Sequence, residues 1–219
     1  MNIVNKWITY LFDVKPPLAP DQAHFLYSIA MDYDAKYQDA ISVMGVNMRD
    51  DVLAAMHGKN SNITRLEILQ SRMEQVRKTE PVLIKASEDL SRFNGSKCDV
   101  FVLDSCLQYM LRPVAVLKNS LEIGSEVLCI IKNYASFKHR LHFAINGNFN
   151  FVDIGKSWES HAIIRPFSFK DFIQTCDREH IFVKKALYLN SKGELKDAME
   201  SPILTNIYLD EVAFILSKL

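Results

Sequence analysis

The chain has 219 residues, enough for one mid-sized domain with a short extension. Hydrophobic residues make up 48% and charged residues 24%, a balance that excludes a disordered chain and fits a protein able to bury a full core. Lys plus Arg and Asp plus Glu both number 26, so the net charge is zero, whereas a non-specific nucleic-acid binder carries a basic excess.

In chain order, the first predicted element is an amphipathic helix, with Ile3, Trp7, Tyr10, Leu11 and Val14 near i, i+4, i+7 spacing. Lys6 and Asp13 interrupt it, so it is neither a signal-peptide core nor a membrane span. It either packs on its own domain or docks a partner. Pro16, Pro17 and Pro20 end it by removing amide donors. This divides the chain into a helix and linker over residues 1–20 and a single α/β domain over 21–219.

Asp21 is positioned to cap a helix reaching about Asp32. A strand over Ala40 to Met44, a helix from Asp50 to Met56, a strand over Ile63 to Leu69, a polar helix from Ser71 to Lys78 and a strand over Pro81 to Ala86 follow. Cys98 to Asp104 is a nearly continuous apolar run, the pattern of a parallel strand covered on both faces. A helix from Val114 to Leu121 comes next, with Gly124 as its C-cap, then a strand from Glu126 to Ile131.

Ser168 to Asp171 opens a further helix through about Arg178 in the manner of a capping box. Ile181 to Leu189 reads as a strand, Ser191 to Gly193 as a turn and Glu211 to Leu216 as the last strand. Strands alternating with helices, closed by a strand pair, predict an α/β fold with a mostly parallel sheet. Cys98, Cys106, Cys129 and Cys176 are dispersed, with no C-x-x-C pair, which predicts free thiols, no zinc site and a cytoplasmic setting.

The stretch Leu103-Asp104-Ser105-Cys106-Leu107-Gln108, then Arg112-Pro113-x-x-Val116-Leu117 to Ile123-Gly124, resembles the MetW family of methionine-biosynthesis proteins. The likeness runs on through Asn133 to Leu141, Gly147, Trp158, Phe169 to Phe172 and Asp210 to Leu216. It implies a Rossmann-like class I methyltransferase fold, a mostly parallel sheet with helices on both faces and an antiparallel C-terminal strand. It also implies a link to homoserine O-acyltransferases, hence a biosynthetic enzyme as protein partner; a homo-oligomer is the other option.

Class I methyltransferases follow their first strand with an acidic residue and a Gly-x-Gly loop, whose glycines let the backbone approach S-adenosylmethionine. Here the segment is Ser42-Val43-Met44-Gly45-Val46-Asn47-Met48, in which Gly45 is the one glycine and Ser42 stands for the acid. The loop is degenerate, so no bound cofactor is expected; the alternative is an active enzyme that uses S-adenosylmethionine on a small molecule or glycan. By the resemblance, Glu67 would meet the ribose hydroxyls and Glu88 or Asp89 the adenine amino group. With the loop degenerate, the reading that comes first for all three is a solvated carboxylate at an element end.

Asp104, Asn133 and Tyr134 fall at the carboxyl ends of predicted strands, the edge where open α/β sheets bind ligands. Asn133 either orients a substrate group or caps the next helix. Trp158, His161 and Arg165 lie in a long irregular stretch placed as a lid over that edge. His161 is a candidate general base, or a structural histidine, as no orienting partner is visible. His139 and His142 share a helical spacing but lack further ligands, so no metal is expected.

Overall fold

A computed structural model of the chain describes residues 42–48, 62–67, 83–85, 90–93, 95–147, 165–190, 195–200 and 202–218. The helices expected within residues 1–32, 50–56 and 71–78, and the turn at 191–193, lie outside the described residues.

Five strands run parallel: β1 (Ser42–Val46), β2 (Asn62–Glu67), β3 (Leu83–Lys85), β4 (Cys98–Asp104) and β5 (Gly124–Lys132). Three more complete the sheet: β6 (Ile181–Leu189), β7 (Leu195–Asp197) and β8 (Glu211–Lys218). The order is β3-β2-β1-β4-β5-β8-β6-β7, with β8 antiparallel to both β5 and β6. The chain therefore has a Rossmann-like α/β architecture, mostly parallel with antiparallel C-terminal strands. The strand order reverses between β1 and β4, which makes a crevice at their carboxyl ends.

Central strands bury residues continuously because both faces are covered. In β4 every residue but Asp99 is buried, and in β5 the run Val127 to Ile131 is. α1 (Pro113–Ile123) makes the crossover between them. Its Pro113 sits in the first turn, where a missing amide costs nothing. Val116, Leu117, Ser120, Leu121 and Ile123 face inward, and Ser120 Oγ donates to Val116 O at 2.7 Å.

Gly124 does not act as a left-handed C-cap. Its backbone is extended (φ −91°, ψ 140°) and it is the first residue of β5. A glycine stands there because a Cβ would lie 2.7 Å from Phe101 Cβ and 2.7 Å from Glu126 O.

The capping box ahead of α3 (Phe169–Arg178) is fully formed, with Asp in place of Glu or Gln. Asp171 N donates to Ser168 Oγ at 3.1 Å, and Ser168 N donates to Asp171 Oδ2 at 2.9 Å. Phe169, Phe172 and Cys176, at i, i+3 and i+7, are buried, and the Phe172 ring centroid is 4.7 Å from that of Phe214 on β8. Two helices pack differently. α2 (Phe137–Asn146) and α4 (Pro202–Tyr208) contain no buried residue.

All four cysteines are free and buried. Burial pushes the Cys98 thiol up to about 11 and the Cys176 thiol up to about 12, and it raises that of Cys129 well above the ordinary thiol value.

Candidate functional site

Three strand ends meet at the crevice. Val46 of β1 is in register with Leu103 of β4, and Asp104 is in register with Ile130 of β5.

Beyond β1 the backbone turns at Asn47, whose φ of 60° is left-handed. Asparagine is among the few residues other than glycine that tolerate this region. Asn47 N donates to Leu66 O at 3.3 Å and its Nδ2 to Asp104 O at 2.7 Å, so one residue clasps the ends of β2 and β4. Counted from Gly45 as the first glycine of a Gly-x-Gly loop, Asn47 stands at the second. Ser42 is not at this edge. It opens β1 at the opposite end, where its N–H donates to Asp99 Oδ2 at 2.7 Å. That corrects its assignment to the acidic position.

Gly45 has a packing explanation. The Met48 side chain, wholly buried, folds back into the space beside it. A Cβ on Gly45 would clash with Met48 Sδ, lie 2.7 Å from Met48 Cγ and lie 2.9 Å from Val102 Cβ. The glycine makes room for a methionine of the core.

At the end of β4, Asp104 is wholly buried. Ser105 follows with a left-handed φ of 49°, and its N–H donates to Ile130 O at 3.0 Å. A short 3-10 turn, Leu107–Tyr109, then buries Gln108, whose Nε2 donates to Lys132 O at 3.0 Å. Arg165 joins from across the chain: its N donates to Gln108 O at 3.0 Å and its Nη2 to Leu111 O at 2.9 Å. Arg165 thus straps the turn after β4.

At the end of β5, Asn133 is buried. Its Nδ2 donates to Asn206 O at 2.8 Å and Leu209 O at 2.9 Å, and its Oδ1 accepts from Ala135 N at 3.0 Å. Both amide hydrogens and the carbonyl oxygen are spent on the protein. The side chain neither caps α2, which begins at Phe137, nor points outward to a substrate; it fastens α4 and the start of β8 to β5. Tyr134 N donates to Phe167 O at 3.3 Å, and its ring lies 5.4 Å from that of His139. His142 Nδ1 pairs with Asn146 Nδ2 at 3.2 Å.

The backbone of Glu67 ends β2, opposite Lys85 in register. Glu88, Asp89, Trp158 and His161 lie outside the described residues. The structural positions that sequence reasoning missed are Asn47, Met48 and Gln108. The left-handed bias of asparagine was a usable signal for the first; nothing local marks the other two.

The family model of the methionine biosynthesis protein MetW matches residues 67–216. The chain belongs to the MetW family. The match begins after β1 and its loop, and earlier than the resemblance carried by Leu103 to Leu216. No curated protein matches the sequence.

Among solved structures, a methyltransferase from Thermotoga maritima, described as a possible histamine N-methyltransferase, aligns at 12% identity and TM-score 0.57. The alignment covers 99% of this chain and 96% of that one. An S-adenosylmethionine-dependent methyltransferase from Clostridium acetobutylicum aligns at 10% identity and TM-score 0.57, over 99% of both. One from Archaeoglobus fulgidus aligns at 8% and 0.56, over 90% and 94%. At these identities the likeness carries the fold alone. Among the described residues no helix is long and apolar enough to cross a membrane.

Proposed function

We propose that this MetW-family protein works through a partner enzyme rather than by routine methyl transfer, its cofactor site having been given over to protein packing. The observation that carries this reading is Met48. The surviving glycine of the loop, Gly45, is accounted for by the methionine side chain beside it, and Asn47 holds the second glycine position while clasping β2 and β4. A loop whose residues serve the core in this way gives no reason to expect a tight S-adenosylmethionine site. Asn133 and Arg165 are likewise engaged by backbone groups of the protein. The family resemblance suggests a homoserine O-acyltransferase as the partner.

Asn47 itself favours a second reading. It keeps the left-handed turn that a glycine would make, so the loop backbone retains a cofactor-compatible bend, and an active methyltransferase for a small molecule or glycan remains the rival. Two experiments bear on the choice. Co-expression with the host's homoserine O-acyltransferase should give one co-eluting complex; separate elution at micromolar concentration would remove the partner half of the proposal. Calorimetric titration with S-adenosylhomocysteine addresses the other half.

A further inference from the structure

The end of the sheet away from the crevice holds an open cleft of about 680 Å³, a size common among small-ligand sites. It is lined by the starts of β5 and β6, the end of β8 and the last turn of α1. A bulge shapes it. Between Val183 and Lys185 the register of β6 on β8 shifts, which leaves Lys184 as the extra residue. Lys184 reaches across β8 to the buried carboxylate of Glu126 on β5, at 2.8 Å. Bulges re-aim side chains in this way and recur beside functional sites.

Ser217 of β8 is in register with Phe182 of β6, so the two side chains stand together on one face of the sheet. Ser217 is only 8% exposed, and it lines the cleft. Among the described residues its hydroxyl has no hydrogen-bond partner. A buried hydroxyl is costly to leave unpaired, so this one calls for a polar atom supplied from the cleft. Phe182 beside it is 47% exposed, an apolar wall to the same space.

The charges around this hydroxyl come in pairs. Lys184 is committed to Glu126, and Lys97 Nζ donates to Glu122 O at 2.6 Å. Lys218 meets the Glu122 carboxylate, and both side chains of that pair are more than half exposed. Because the lysines have partners, the cleft does not select a simple anion. An ion pair held in water opens readily, however, and this one then presents a pole of each sign.

We infer that the cleft binds a free α-amino acid with an apolar side chain. The ligand carboxylate would accept from Lys218 and from the Ser217 hydroxyl, and its ammonium would donate to Glu122. Its side chain would cover Phe182. Each partner lost from the Lys218–Glu122 pair is regained on the ligand, whereas a simple anion would set a like charge against Glu122. The inference does not rest on the partner reading, because the cleft and the cofactor crevice occupy opposite ends of the sheet.

The test is calorimetric titration of the full chain with L-phenylalanine, L-leucine and L-methionine. At least one should bind saturably with a Kd of about 5 mM or tighter. Glycine lacks the side chain, and the N-acetyl and amide derivatives of the same amino acid each lack one pole. All three should bind at least about tenfold more weakly. Ser217→Ala and Glu122→Gln should each weaken binding about tenfold with unchanged circular dichroism spectra. Glu122 is exposed, so its variant tests the site even where the change at Ser217 disturbs β8.

No saturable heat from any of the three amino acids up to about 5 mM would overturn the inference. So would an N-acetyl derivative, or inorganic phosphate, that binds as tightly as the free amino acid. Undiminished binding by the Glu122→Gln variant would overturn it as well.

Discussion

Past the end of β1 the chain turns through Asn47 and folds Met48 back beside Gly45, whereas past the end of β5 it spends the polar side chain of Asn133 on three backbone groups. Both ends face the edge where this fold places its ligands. At one an apolar side chain packs into the core, and at the other a polar one is held by internal hydrogen bonds. The comparison teaches that glycine or asparagine at that edge identifies a site only once its packing and hydrogen bonds are known.

The β1 end can be tested most forcefully. Met48→Ala should cost about 3 kcal/mol by leaving a cavity, and Gly45→Ala about 2 kcal/mol by overpacking. In the double variant the new methyl enters space that Met48 has vacated, so the two costs should fall short of their sum by about 1 kcal/mol. Val102 Cβ keeps the relief incomplete. Chemical denaturation of the four proteins checks this, and strict additivity would break the claim that Gly45 exists for Met48.

At the β5 end, Asn133→Ala should cost about 2 kcal/mol, because it strips donors from the carbonyls of Asn206 and Leu209. Hydrogen exchange should then accelerate first in α4. A loss confined to ligand binding, with stability intact, would instead restore Asn133 as a substrate contact.

A separate effect, gradual rather than tied to one contact, is expected in alkali. The Cys98 and Cys176 thiols are held neutral to about 11 and about 12 by burial, while unfolded cysteines ionise near 9.0. Raised folded values mean that the contribution to stability is complete below pH 9 and is lost as pH rises from there through 12. Thermal melts across that range should show a progressive fall, and thiol titration at pH 8 should find little reaction before unfolding. Rapid modification of the native chain would contradict the burial.

Much of the fold was legible because it is written in local patterns. β4 runs from Cys98 to Asp104 and β6 from Ile181 to Leu189, both as their apolar and β-branched runs predict. α3 starts where Ser168 and Asp171 announce it. α4 was missed because its apolar residues bury nothing and so make no inward-facing period, and β7 because three residues are too short to show alternation. Gly124 misled because a glycine that ends a helix and one that admits Phe101 look alike in sequence. The site was less legible. The bonds from Asn133 to Asn206 and Leu209 span more than seventy residues, and the direction of the Met48 side chain follows from the left-handed turn at Asn47.

The central claim is that the end of β1 has been turned over to packing. Isothermal titration of the purified full chain with S-adenosylhomocysteine tests it most directly. The account predicts no saturable heat up to about millimolar ligand, an affinity no better than about 4 kcal/mol of binding free energy. Saturable binding with a micromolar Kd, abolished by a bulky substitution at Asn47, would contradict it.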